Sequence, residues 1–477
     1  MRRRAKPSGK PTTRVRQILT QLGYVEHEDF EYEVEIRLYS NRRLYADVML
    51  FQGDAPIAVV EVEGKPSLLR EGFEEARFKG AAWNLENPVP LLWVAAGERD
   101  ALYRLTRPCN GICYAPLSEQ TLPQALAPAQ LATLIGDYLQ QTDAPLGQSL
   151  RDRNLLRDAL QAASGKDPRT RFVDLLKTLQ SQQPKRGASA PLREAHQRVA
   201  QARQKGTGDF ALASALRYIA RAYFRPLVKN DEVRRFGRYY TPDEVIEFLV
   251  EVAAPQPEMR ILDFACGSGG FLLGAARYLR ERRGLSPTAV ADSLHGVEID
   301  PHAHALAALA LEVGIGAPVA HLYRENALTF AWSEESYDLI LSNPPAGSLP
   351  DSIAPEQFRY AGKGKNRLNQ YEVAFAELAV RLAKPDALIA IVAPEGLLSN
   401  ASAESFRRWL FRQARPFAIL GLPRGLFPHT PSRMYALVMR KTPLRKRDRC
   451  LIAELSRYDL TANRPALVQL VQEAMHA

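Results

Sequence analysis

Arg260-Ile-Leu-Asp-Phe-Ala-Cys-Gly-Ser-Gly-Gly-Phe-Leu-Leu273, Leu294-His-Gly-Val-Glu-Ile-Asp300 and Tyr337-Asp-Leu-Ile-Leu-Ser-Asn-Pro-Pro-Ala346 carry the same pattern three times. Each is a short apolar run that ends in glycine or polar residues. The intervals leave room for a helix between runs, which predicts βαβ units in an open parallel sheet. Ligands of such sheets lie outside the carboxyl ends of the strands, where these polar residues fall. Gly267, Ser268, Gly269 and Gly270 follow the first run and precede the helical stretch Phe271–Arg282. Glycines there let a ligand approach the backbone at a helix N-terminus. Taken alone, such a loop fits any nucleotide. Glu298 closes the second run, and a carboxylate at that place suits a ribose diol, which favours a nucleoside cofactor over a bare phosphate. Asn343-Pro344-Pro345 closes the third. Two prolines stiffen the turn and cannot donate hydrogen bonds. They leave the Asn343 amide and a nearby carbonyl as fixed acceptors, suited to an –NH2 group.

In this order, Asp263–Gly270, Glu298 and Asn343-Pro-Pro-Ala346 resemble the S-adenosylmethionine and target-amino motifs of N6-adenine DNA methyltransferases, above all the modification subunit of type I restriction systems. Phe236-Gly-Arg-Tyr-Tyr-Thr-Pro242 stands where that family has a Phe-Thr-Pro motif at the cofactor. Ala387–Leu398 is similar to its later core strand and loop, and Ile419–Phe427 with Met434–Lys441 to its terminal hairpin. The resemblance covers roughly residues 210–442. It implies a Rossmann-like, S-adenosylmethionine-dependent methyltransferase sheet that methylates the N6 amino group of adenine in duplex DNA, the base being swung out of the helix. It assigns Tyr240, Thr241, Pro242, Asp263, Gly267, Ser268, Gly269, Glu298 and Asn326 to the cofactor. Thr241 and the glycine loop would hold the methionine part, Glu298 the ribose and Asn326 the adenine ring. The Asn343 oxygen and the Pro344 carbonyl would accept from the target amino group, with Pro345 completing the turn. Two departures stand out. Asn326 replaces a frequent Asp, and Ala346 replaces the Phe or Tyr that stacks on the extruded base. Tyr360 and Tyr371 are the candidates to fill that space, and a small residue at 346 would also relax selection toward cytosine N4.

The N-terminal region reads differently. Thr13–Gly23 has helical spacing, Glu31–Leu38 alternates as a strand, and Leu44–Phe51 and Ile57–Glu63 flank the turn Gln52-Gly-Asp-Ala-Pro56 as a hairpin. With period two, Glu61, Glu63 and Lys65 share a face, and Asp47 lies on the neighbouring strand. Carboxylates that could hold Mg2+ beside a lysine are the constellation of a metal-dependent nuclease. Residues from roughly 12 to 115 resemble the PD-(D/E)xK nuclease domain of type I restriction subunits, with Asp47 and Glu61 as candidate Mg2+ ligands. Glu63 stands where that pattern has lysine. Either the lysine is lost, or Glu63-Gly-Lys65 supplies it two residues later. The helix expected next, Glu71–Leu85, lacks the Gln often found there, and Val89–Ala96 is a continuous apolar strand.

The 477 residues suggest about three domains, and 46% hydrophobic residues suit an ordinary globular protein. The expected division is a basic tail (1–11), the nuclease-like α/β domain (12–116), a helical linker (117–190), a helical lead-in (191–258), the methyltransferase core (259–442) and a basic tail with a helix (443–477). No apolar run of about eighteen residues occurs, so no membrane span is expected, and the basic N-terminus lacks the apolar stretch of a secretory signal. Cys109, Cys113, Cys266 and Cys450 are scattered without zinc spacing, as expected of a cytoplasmic protein with free thiols. The net charge is +10, and it is unevenly placed. Residues 1–16 hold seven Lys/Arg and no acids, and residues 151–240 hold twenty Lys/Arg against eight Asp/Glu. Such segments suit duplex DNA, or else are solvated faces. The 36 residues after Lys441 are too few for a target-recognition domain, so a specificity or other restriction or defence subunit is an expected partner. The leading reading is a restriction–modification or defence enzyme. Its rivals are a catalytically degraded subunit that binds S-adenosylmethionine and DNA, and a protein-glutamine methyltransferase.

Overall fold

The computed structural model describes residues 10–21, 24, 26, 30–37, 43–52, 55–83, 89–106, 113–116, 145–184, 187–224, 241–350, 357–364, 367–423, 426–427, 433–445, 448–460 and 463–476. The chain divides into two compact units, residues 1–142 with 455–467 and residues 143–454 with 468–477. Among the described residues no helix is long and apolar enough to cross a membrane.

The N-terminal unit is a six-stranded sheet in sequence order: β1 (Phe30–Arg37), β2 (Arg43–Gln52), β3 (Ala55–Glu63), β4 (Leu91–Ala96), β5 (Arg99–Thr106) and β6 (Cys113–Pro116). The expected β2–β3 hairpin forms, with Val48 opposite Val60. β3 and β4 are the parallel pair, and the helix Leu69–Trp83 makes their crossover, because parallel strands cannot be joined by a tight turn. Every residue of β3 from Ile57 to Glu63 is buried, as in a strand covered on both faces. The crossover helix turns Gly72, Ala76, Lys79, Gly80 and Trp83 inward, at i, i+4, i+7, i+8 and i+11 spacing. Lys79 is the one charged residue on that stripe.

The second unit holds an eight-stranded sheet in the order β14-β12-β13-β11-β10-β7-β8-β9. These are β7 (Ile261–Asp263), β8 (Leu294–Val297), β9 (His321–Tyr323), β10 (Tyr337–Ser342), β11 (Ala383–Pro394), β12 (Arg415–Gly421), β13 (Met434–Arg440) and β14 (Leu451–Glu454). β11, β10, β7, β8 and β9 run parallel, and β13 is antiparallel to both β11 and β12. The helices Gly270–Arg283, Pro301–Ile315 and Tyr371–Leu382 make the crossovers that the sequence spacing required. From β7 the chain first builds outward through β8 and β9, then returns to place β10 on the other side of β7. That reversal opens a crevice at the carboxyl ends of β7 and β10.

The helices Pro145–Ala162, Pro168–Gln180, Ala190–Lys205 and Phe210–Phe224 belong to this unit and pack on one another and on Pro301–Ile315. Part of their basic excess is spent internally. Arg198 bonds Asp152 and Asp209, and Arg203 bonds Glu312.

Candidate active site

The first βα turn begins at Asp263, the last residue of β7. Its carboxylate is almost fully buried and accepts from the Ser342 hydroxyl (2.6 Å) and the Ala265 N–H (3.1 Å). Burial pushes it up to about 7, although these donors pull it down. It ties the end of β7 to the end of β10, one residue before Asn343. Gly267 adopts φ of +55°, and a Cβ added there would meet nothing within 4 Å. Its side-chain face is open space, as a cradle for a ligand requires. Gly269 serves the packing instead, because its Cβ would press on Ala307 of the next helix.

Glu298 bridges two turns. One oxygen accepts from the Gly267 N–H (2.9 Å) and the other from the Asp300 N–H (2.7 Å). A carboxylate oxygen can accept from two donors, which is the chemistry a ribose diol calls for. Ile299, just after it, is 54% exposed and lines the same cavity. Asn326 spends its side-chain oxygen on the Leu328 N–H (3.0 Å), which leaves its –NH2 for a ligand where Asp would offer an acceptor.

Asn343 is 9% exposed. Its Nδ2 donates to the Thr241 hydroxyl (3.0 Å), and this fixes which way the amide points. Its Oδ1 is buried and, among the described residues, accepts no hydrogen bond. The turn is clamped from behind. The Tyr371 N–H donates to the Gly347 carbonyl (2.8 Å), and the Gly347 N–H to the buried Glu372 carboxylate (3.0 Å). Tyr371 is thereby held beside the Asn-Pro-Pro turn, in a row with Phe375 and Phe264 whose rings stack at 6.3 and 5.2 Å. Tyr360, the other aromatic considered for the Ala346 space, packs on Phe406 and Trp409 instead.

One open cavity gathers these groups, about 1080 Å3 counting space open to solvent. Thr241, Asp263, Gly267, Ser268, Glu298, Asn326, Asn343 and Pro345 line it, with Ile299, Tyr371, Phe375 and Arg217. Pro242 caps the helix Asp243–Ala253 beside it. Tyr240 and the rest of Phe236–Tyr240 lie outside the described residues. Sequence reading missed Arg217, Ile299 and Phe375. The signal for Arg217 was a charge inside the apolar stretch Phe210–Phe224, whose neighbours Leu212, Ala213, Leu216 and Ile219 are buried.

Comparison with known proteins agrees with this geometry. A protein from Listeria monocytogenes described as a class I S-adenosylmethionine-dependent methyltransferase superposes with a TM-score of 0.51 at 16% identity, over 68% of this chain and 99% of that one, a likeness of fold. The chain matches the N-6 DNA Methylase family over residues 220–473, more than half its length, and it belongs to that family. It is 26% identical over 202 residues to the methylase subunit of the type I restriction enzyme EcoEI of Escherichia coli, covering 41% of this chain and 40% of that protein. It is 33% identical over 193 residues to the type II methyltransferase M.TthHB8I of Thermus thermophilus, covering 38% and 40%. The chain thus spans about two-fifths of the length of these curated relatives. S-adenosylmethionine is the cofactor of this family, and the cavity fits it: a glycine cradle at Gly267 and a carboxylate at Glu298.

In the N-terminal unit, Asp47 and Glu61 lie close enough to interact electrostatically, with Glu63 two residues further along β3, and a lysine other than Lys65 joins Glu61. Lys65 is exposed beyond the strand. Lys79 reaches in from the crossover helix and forms a buried ion pair with Glu61, with Glu75 at 3.3 Å. Asp47 accepts from the Val62 N–H (2.8 Å). Burial pushes the Glu61 carboxyl up, while the Lys79 ammonium and its hydrogen bond pull it back toward the charged form. Burial is the largest influence on Lys79 and works to lower it, but Glu61, Asp47 and Glu75 together outweigh it and the lysine is raised. The Glu61 Oε1 accepts no hydrogen bond. Among the described residues no three His, Cys, Asp or Glu side chains are gathered to hold a metal ion.

Proposed function

We propose that this chain transfers a methyl group from S-adenosylmethionine to the N6 amino group of adenine in duplex DNA, as the modification component of a restriction or defence system. The observation that carries the reading is the Asn343 Oδ1, a buried acceptor with no partner among the described residues, on a side chain that lines the cofactor cavity. An amino group entering there satisfies it, whereas a buried acceptor left unmatched costs about 1–3 kcal/mol. S-adenosylmethionine supplies an electrophilic methyl on a good leaving group. The chain's own task is positioning and charge. Thr241 holds the Asn343 amide so that its oxygen faces the amino group. Accepting from that group turns the nitrogen lone pair toward the methyl and stabilises the positive charge that develops. Tyr371 stands beside the turn that Ala346 leaves small, and on this reading its ring is the platform for the extruded base.

The test is transfer of labelled methyl to mixed-sequence duplex DNA by the purified chain, with Asn343→Ala as control and nucleoside analysis of the product. N6-methyladenine with a dead control supports the reading, and N4-methylcytosine would redirect it to the other exocyclic amine. A second reading, a subunit that binds cofactor and DNA without transfer, is favoured by Ala346. Saturable cofactor binding with no label in DNA would select it. Duplex DNA and a specificity or other defence subunit are the partners of either reading.

For the N-terminal unit we propose a nuclease-like domain whose contribution is contact with DNA or with a partner subunit. The Glu61–Lys79 pair argues against Mg2+-dependent cleavage in the chain as it stands. Nicking of supercoiled duplex DNA on adding Mg2+, abolished by Glu61→Gln, would restore the endonuclease reading.

A further inference from the structure

Among the described residues the cofactor cavity contains one basic side chain, which nothing in the glycine, Glu298 or Asn343 motifs accounts for. Arg217 comes from the helix Phe210–Phe224 and is only 4% exposed. Its Nη1 donates to Asp243 Oδ1 at 2.9 Å, in the first turn of the helix that follows Thr241 and Pro242. The guanidinium lies on the N-terminus of the helix Gly270–Arg283. A Cβ added at Gly270 would fall 2.6 Å from Nη2 and 3.2 Å from Cζ. Gly270 is therefore needed so that the arginine can occupy that place.

The charge in the cavity is selective. Among the described residues the lining carries three acids, Asp263, Glu298 and Glu325, and one base, Arg217. S-adenosylmethionine is itself mixed, with a positive sulfonium, a positive ammonium and one negative α-carboxylate. The sheet order sets where each end lies. Asn326 follows β9, Glu298 follows β8, the glycine turn follows β7, and Asn343 follows β10. A ligand with its adenine at Asn326 and its ribose at Glu298 brings its amino-acid end over the glycine turn, where Arg217 is.

We propose that Arg217 binds the α-carboxylate of the methionine part of the cofactor, with the N-terminal N–H groups of Gly270–Arg283 behind it and Asp243 as the positioning residue that orients the fork. A guanidinium pairs with a carboxylate through two parallel N–H donors, and a helix N-terminus favours the same charge. The helix Phe210–Phe224 is on this view part of the cofactor site rather than a lead-in to it. The inference rests on the cofactor being S-adenosylmethionine and does not depend on the methyl acceptor.

The experiment is calorimetric titration of the full chain with S-adenosylhomocysteine and with its decarboxylated analogue, S-adenosyl-3-thiopropylamine. A charge-assisted pair predicts that the wild type prefers the carboxylated ligand by about 10- to 100-fold. Arg217→Gln should lose that preference by weakening only S-adenosylhomocysteine, and Arg217→Lys should keep part of it. Asp243→Asn should reduce it with Arg217 still present. Equal weakening of both ligands by Arg217→Gln would make the arginine a structural prop and overturn the proposal. So would a wild type that does not distinguish the two ligands, a result that stands even if the glutamine variant does not fold. A wild type that binds neither ligand would remove the cofactor reading itself.

Discussion

Two buried carboxylates lie at the ends of central strands in this protein, and their surroundings are opposite. Asp263 ends β7 beneath an open cavity and is held by neutral donors, the Ser342 hydroxyl and the Ala265 N–H. Glu61 lies near the end of β3 and faces the ammonium of Lys79. Both are pushed up by burial, Asp263 to about 7 and Glu61 against the pull of its ammonium partner. The first centre leaves polar capacity unspent toward a cavity, at Asn343 Oδ1 and at the open face of Gly267. The second has already taken a cation from its own chain. Glu61 also keeps one oxygen unmatched, but its charge is balanced. An acidic pattern at a strand end is thus common to a ligand site and to a self-neutralised centre, and the neighbouring helix decides which one forms.

The largest expected effect tests the closed centre. Lys79→Ala leaves Glu61 buried and unpaired, which should cost about 3–5 kcal/mol. Urea unfolding of the N-terminal unit should shift accordingly, and the pair Lys79→Met with Glu61→Gln should recover most of the loss. An unshifted transition for Lys79→Ala would mean that the pair does not hold this centre. In the open centre, Asn343→Ala should lower methyl transfer by about 100- to 1000-fold while cofactor affinity is kept. A parallel loss of binding would assign Asn343 to the cofactor instead. Next in size, Tyr371→Ala should cost about 1–3 kcal/mol of acceptor binding, and Ala346→Tyr in that background should restore part of it. Rescue would establish that the ring moved from the turn to the helix.

The pH dependence sharpens the comparison further. Asp263 is protonated to a higher pH when folded than when unfolded, so the folded state holds the extra proton between about 4 and about 7. Stability from this group is therefore present at low pH, falls as pH rises through that window and is flat above it. Asp263→Asn should flatten that part of the melting-temperature profile, and an unchanged slope would locate its origin elsewhere. The smallest expected effect is none: Mg2+ should neither raise the melting temperature nor cause cleavage, because Lys79 already neutralises Glu61.

Much of this was legible in the sequence because it is local. The strands around Asp47 and Glu61, the glycine turn and the Asn-Pro-Pro turn follow from period-two alternation, turn chemistry and apolar runs, and they occur where those patterns placed them. What the patterns could not supply was partners distant in the chain. Lys79 reaches Glu61 across 18 positions, Thr241 reaches Asn343 across 102, and Ser342 reaches Asp263 across 79. Arg217 and Lys79 each left a faint mark, a charge on an otherwise apolar helix stripe. Such a mark says that a charge is buried but not what it meets.

The sequence by itself determined the parallel sheet, the order of its strand-end motifs and the family, since each motif is a continuous stretch whose chemistry survives being read alone. Only the tertiary structure decided which side chains complete the sites. It put Tyr371 rather than Tyr360 at the Asn-Pro-Pro turn, Arg217 in the cofactor cavity, and Lys79 on Glu61 in place of a strand lysine. The reason is geometric. A strand end presents one or two side chains, and the rest of a binding site must come from helices whose faces are set by packing against the sheet.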